Sequence, residues 1–163
     1  MPESPRHPLL RVPPDKYGDH YAHHLLEQYK LYVESAHAVS ERRTSANNYL
    51  LTVNAFLVTL YGLASPVTPG YAWRFAIPVA GLLVSASWFV LVRSYRSLNT
   101  GKFTVIHELE QYLPAALFDH EWTVIDSGRG KAYKPLTNVE QWIPAVFGAL
   151  YFLLLLYAIN CLR

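Results

Sequence analysis

Apolar residues follow two different patterns within the first third of the chain. Between residues 21 and 39 they fall at Ala22, Leu25, Leu26, Tyr29, Tyr32, Val33, Ala36 and Val39. That three-and-four spacing makes one apolar stripe on a helix whose other faces are polar. At Glu41-Arg42-Arg43 the charges stop, and residues 46–64 carry none. About 20 residues of helix cross a hydrocarbon core, so the second half has the length and character of a membrane span. No proline, glycine or turn cluster separates the halves. The pattern predicts one continuous helix over about residues 19–64, opened by Asp15 or Asp19 as its cap.

Two further blocks have the same uncharged character. Residues 71–92 contain only Arg74, at the outer edge, and place Pro78 within the first two turns. Ser65-Pro66-Val67-Thr68-Pro69-Gly70 forms the tight exit loop before this block. Tyr71, Trp73 and Trp88 suit the aromatic belts at the two membrane interfaces. Beyond Val92 the chain turns basic and polar as far as Lys102. Helical spacing then resumes at Phe103, Ile106, Leu109 and Leu113, and Pro114 stops it. Asp119 is placed to cap a short helix through Trp122 and Ile125, and Ser127-Gly128-Arg129-Gly130-Lys131 reads as a loop. Thr137 with Glu140 makes a capping box opening the last helix, which holds a third span at 142–159 with Pro144 in the span's first turn.

The reading is an all-α membrane protein with three transmembrane helices. A disordered, proline-rich tail (1–14) precedes a long N-terminal helix (15–45) extending into the cytoplasm. The spans are 46–64, 71–92 and 142–159, and residues 93–139 form a small cytoplasmic helical part. The tail lacks the apolar core of a signal peptide.

Charge orients this arrangement. Arg42, Arg43, Arg93, Arg96, Lys102, Arg129, Lys131 and Lys134 share one side of a three-span chain, and only Arg74 and Arg163 fall on the other. The positive-inside rule puts the N-terminus in the cytoplasm and the C-terminus outside. A net charge of +2, with no basic stripe, argues against nucleic acid as a partner. The single cysteine, Cys161, excludes an intramolecular disulfide and a cysteine-rich metal site.

Several ordered strings carry a family resemblance. His24-Leu25-Leu26-Glu27-Gln28-Tyr29-Lys30-Leu31-Tyr32-Val33-Glu34 precedes Ser40-Glu41-Arg42-Arg43. Arg93-Ser94-Tyr95-Arg96-Ser97-Leu98-Asn99 leads into Gly101-Lys102-Phe103, Val105-Ile106-His107-Glu108 and Leu113-Pro114. Glu121-Trp122 and Tyr133-Lys134-Pro135 come before the third span. From about Tyr21 to Tyr157 the chain resembles the RipA-family octameric membrane proteins of the bacterial inner membrane. The resemblance implies a homo-octamer and brings no catalytic residue with it.

Candidate sites are few. His20, His23, His24 and Glu27 lie at helical spacings of three and four, an arrangement able to hold Zn²⁺ or merely to form a solvated helix face. Asn47, Asn54 and Tyr61 share a heptad stripe on the first span, where an amide needs a protein or water partner. They would either line a pore or bond between helices. Ala76 with Ala80, Gly81 with Ser85, and Ala145 with Ala149 are small pairs that let helices approach closely. Arg42, Arg43, Arg93, Arg96 and Lys102 suit anionic lipid headgroups, or ion pairs in which Glu108, Glu110 and Glu121 meet the last three. Gly128-Arg129-Gly130-Lys131 lacks the spacing of a phosphate loop.

Nothing here assembles an enzyme or calls for a cofactor. The sequence supports a homo-oligomeric channel or gated pore in contact with membrane lipids. The alternative is a non-conducting scaffold, or a stress or defence component, docking a cytoplasmic protein partner.

Overall fold

The computed structural model describes residues 9–67, 72–125 and 136–161, all the regular structure among them being helical. Five helices follow one another: α1 (Pro14–Tyr17), α2 (Tyr21–Val67), α3 (Ala72–Glu110), α4 (Leu117–Val124) and α5 (Leu136–Asn160). The expected tail lies outside the described residues up to residue 8. The loop at 127–131 lies outside them as well.

The predicted long helix is present as α2, 47 residues without a break. Its start differs from the expectation. Neither Asp15 nor Asp19 caps it. Pro14–Tyr17 forms a separate turn, closed by Gly18 at φ +92°, a conformation that costs glycine little. The helix also outlasts the expected exit by three residues, to Val67.

α3 corrects the reading more substantially. It runs 39 residues, straight through the basic stretch from Arg93 to Lys102 that separated a span from a second helix in the sequence. The physical reason is that nothing there stops a helix. Asn99 and Thr100 are only mildly unfavourable, and one Gly101 costs about 1 kcal/mol in a helix interior. Pro114 does terminate the run: α3 ends at Glu110, and turns at Tyr112 and Leu113 follow.

Among the described residues, two helices are long and apolar enough to cross a membrane, Ala72–Glu110 and Glu140–Asn160. Residues 46–64 of α2 are not among them. Asn47, Asn48, Thr52, Asn54 and Thr59 dilute its apolar character below that of the other two.

The chain divides into two compact units. The first comprises Met1–Val39 with Asn99–Tyr133, so it takes the start of α2, the end of α3, and α4. Its buried apolar residues are Leu25, Ala36, Val39, Ile106 and Leu109, and Phe103 meets Phe118 edge-on at 5.9 Å. The second comprises Ser40–Leu98 with Lys134–Arg163, and holds the rest of α2 and α3 together with α5. Ile77, Trp88, Val92, Tyr151 and Ala158 are its buried apolar residues.

Directions within each unit follow from which residues meet. In the second unit Asn47 meets Trp88 and Asn54 meets Ser85, so α2 and α3 are antiparallel. Arg43 meets Glu140 and Asn54 meets Tyr151, so α5 runs parallel to α2. Pro78 and Pro144 are both buried inside helices. Because α5 opens at Leu136, Pro144 sits two turns into the helix and not at its start. It leaves the Glu140 carbonyl without its helical donor.

Candidate functional site

Polar side chains inside the second unit converge on Asn54, which is fully buried. Its Nδ2 donates to the Leu50 carbonyl one turn earlier at 2.8 Å. Its Oδ1 accepts the Ser85 hydroxyl of α3 at 3.2 Å. Its backbone carbonyl accepts the Tyr151 hydroxyl of α5 at 3.0 Å. One residue therefore ties all three helices, using a side chain and the second lone pair of a helical carbonyl. Two turns toward the N-terminus of α2, Asn47 Oδ1 accepts the indole N–H of Trp88 at 2.9 Å.

This geometry sorts the predicted heptad stripe. Asn47 and Asn54 make bonds between helices of one protomer. Tyr61, further along the same stripe, has a buried hydroxyl without a hydrogen-bond partner among the described residues. Trp88 is not an aromatic-belt residue: it is 1% exposed, and its ring lies 6.2 Å from Phe147. Trp73 remains half-exposed as a belt residue would, and Tyr71 lies outside the described residues.

Small residues make the close approach possible. A Cβ at Gly81 would run into the Tyr151 ring, and one at Gly148 would touch the Ser85 Cβ at 3.8 Å. The Gly81–Ser85 pair is thus spent inside the protomer. Of the other two small pairs, Ala145, Ala149 and Ala76 are exposed and Ala80 is half-buried.

A second constellation occupies the first unit, and the sequence did not single it out. Glu110, the last residue of α3, is 1% exposed. Its Oε1 accepts the Tyr29 hydroxyl at 2.9 Å and the Phe118 amide at 3.0 Å, and its Oε2 accepts the Asp119 amide at 3.0 Å. A buried carboxylate at the N-terminus of α4 satisfies amides that would otherwise be orphaned. The residue expected to cap that helix, Asp119, instead stands in its first turn, 3.8 Å from His107 Nδ1. Burial pushes the Glu110 carboxyl up, but the two amides, Tyr29 and His107 together hold it below the ordinary carboxylate value. The Tyr29 phenol is pushed up to about 12 by burial and by its bond to the Glu110 charge.

The basic candidates separate into two groups. Lys102 faces inward: its ammonium donates to the Ser35 hydroxyl and lies 4.7 Å from the centre of the Tyr32 ring. Arg43 Nη1 lies 3.7 Å from Glu140 Oε2. The capping box expected of Thr137 with Glu140 lies outside the described residues, because the Thr137 side chain is not among them. Arg42, Arg93 and Arg96 are exposed.

Among the described residues no group of three or more His, Cys, Asp or Glu side chains gathers round a common point. His24 Nδ1 is hydrogen-bonded to the Tyr17 hydroxyl at 2.9 Å, and its ring stacks on His20 at 5.8 Å. Glu27 turns to Lys30 at 2.8 Å, a bond that holds its carboxyl below the usual value.

Asn54 and Glu110 were reachable to different degrees. An amide in an uncharged run announces itself. Glu110 is one of several glutamates on a polar-looking segment, and its partner Tyr29 lies 81 residues away. Chemically, both constellations pair donors with acceptors and fasten helices.

No curated protein and no solved structure matches the chain. A family model does, over residues 26–160. That match takes in most of α2, both constellations and α5, and with it the chain belongs to the octameric membrane protein family.

Proposed function

We propose that the chain is a three-span bacterial inner-membrane protein that assembles as a homo-octamer and serves as a non-conducting scaffold. Its N-terminus and the unit built on Glu110 lie in the cytoplasm, where that unit offers a surface to a protein partner. Its C-terminus lies outside, and it performs no catalysis.

The octamer rests on family membership. Three spans rest on register within the second unit. Asn54 of α2 sits against Ser85 and Tyr151, near the middle of the apolar parts of α3 and α5. If those two helices cross a membrane, the α2 segment packed beside them lies at the same depth. Its amides are tolerable there because they have partners. The orientation rests on the basic residues at Arg42, Arg43, Arg93 and Arg96.

The observation that favours a scaffold over a pore is the placement of Asn54. Of the three residues expected to ring a lumen, Asn47, Asn54 and Tyr61, the two amides are turned into their own protomer and hydrogen-bonded there. A conducting path would need other polar groups on its axis.

The test is ion flux from dye-loaded liposomes carrying the purified octamer. The scaffold reading expects the leak rate of empty liposomes. A flux that rises with the amount of octamer would overturn it in favour of the channel or gated pore.

A further inference from the structure

The three helices of the second unit differ in what they show to their surroundings. α5 exposes an apolar surface that includes Val146, Phe152, Leu153 and Leu156, and α3 exposes Val79, Leu83, Phe89 and Val90. Hydrocarbon suits both. α2 exposes large apolar side chains as well, Tyr49, Leu51, Phe56 and Leu63 among them. Between the bearings of Leu51 and Leu63, however, about 120° round the helix from Asn54, it exposes Asn48, Thr52, Ala55, Thr59 and Gly62. At 100° per residue these five fall within about 80° of arc, a single stripe along the helix.

This stripe is suited to another protein backbone. The Thr52 hydroxyl donates to the Asn48 carbonyl and the Thr59 hydroxyl to the Ala55 carbonyl, each at 2.9 Å, so neither needs water. Small and hydroxyl-bearing residues are what membrane helices place where they touch. Gly62, within the stripe, adds a further sign. Among the described residues nothing lies within 4 Å of a Cβ built there, whereas Gly81 is small because Tyr151 lies against it. Packing against the described residues therefore gives no reason for the missing side chain at Gly62.

We infer that the outward face of α2, from Asn48 to Gly62, is where the neighbouring copy of this chain seats in the octamer, while the Leu153 side of α5 faces lipid. The occupant is a second copy because the chain belongs to a family of octamers. The inference rests on the reading of α2 as a membrane span.

Photo-crosslinking in native membranes tests it, with p-benzoylphenylalanine placed singly at Thr52, Thr59 and Leu153. The expected result is a product of twice the protomer mass from Thr52 and Thr59, and a lipid-labelled protomer from Leu153. Lipid-labelled or unreacted protomers from both Thr52 and Thr59 would overturn it, the second outcome pointing to a water-lined axis. Gly62→Leu covers the case in which the bulky probe disturbs assembly. It should shift the protein to smaller species in mild detergent with helix content and thermal unfolding unchanged, and an intact octamer would count against the interface. A reporter fused after residue 163 separates this from the three-span reading. If it reads as cytoplasmic, the span assignment has failed. If it reads as external and Thr52 still finds only lipid, the interface alone has failed.

Discussion

At the scale of single residues, the protein hides its most informative polar groups. Asn54→Leu removes the acceptor of the Ser85 hydroxyl but leaves the backbone carbonyl that holds Tyr151. Membrane hydrogen bonds contribute roughly 0.6–2 kcal/mol each. The variant should lose stability by that order in a detergent unfolding titration while keeping its oligomeric mass. Loss of the oligomer with an unchanged protomer would mean that Asn54 acts between copies. Glu110→Gln tests the other constellation. The buried carboxylate serves three donors, and disrupting a hydrogen bond to a buried charged group costs about 1.5–3 kcal/mol. Faster hydrogen exchange at the Phe118 and Asp119 amides should report it; unchanged protection would deny Glu110 its capping role. The pH dependence has a definite sign. Glu110 is held below its ordinary value of 4.5, so its contribution is present above pH 4.5 and is lost as pH falls through the lower folded value. Tyr29 is raised from 10.0 to about 12, so its contribution is present below pH 10 and fades between there and 12. The Asn54 cluster was half legible, since an amide in an uncharged run must find a partner. Which partners it takes depended on the fold: Ser85 of α3, 31 residues on, reaches the amide, and Tyr151 of α5, 97 residues on, reaches the backbone carbonyl. Glu110 was illegible, because its role exists only once α2, α3 and α4 are folded together.

At the scale of elements, continuity was the property read most and least well. The sequence pattern anticipated α2 because an amphipathic stripe runs into an uncharged one with no breaker between them. It divided α3, where a change from apolar to basic composition looks like a boundary but leaves the backbone free to continue. Composition reports the surroundings of a helix, and breakers report its end. Pro114 illustrates the second point by stopping α3 where expected. Helix contact is checked by a pair of glycine substitutions. Gly81→Ala should destabilise by about 1–3 kcal/mol through overpacking against Tyr151. Gly101→Ala meets nothing within 4 Å among the described residues and should be neutral, or stabilising by up to about 1 kcal/mol. Thermal unfolding of the two variants side by side decides this, and a reversed order would contradict the α3–α5 packing. Ala36→Pro should break α2 where it is buried in the first unit, at about 3 kcal/mol or more, with loss of helix signal by circular dichroism.

At the scale of the whole molecule, the chain presents apolar surface far beyond what a water-soluble monomer leaves exposed. Leu83, Val90, Trp142, Val146 and Leu153 are each more than half exposed. Lipid and neighbouring copies are the two means of covering such a surface, and a family of octameric membrane proteins uses both. Topology follows from the three spans we propose: a reporter before residue 14 should read as cytoplasmic and one after residue 163 as external. The same side for both would leave only the two spans that composition already supports. The most direct measurement is the native mass of the purified protein released from lipid nanodiscs. Eight copies of the 18.6 kDa protomer are expected. A protomer or dimer as the largest species, in lipid that keeps the helices folded, would contradict the assembly on which the proposed function depends.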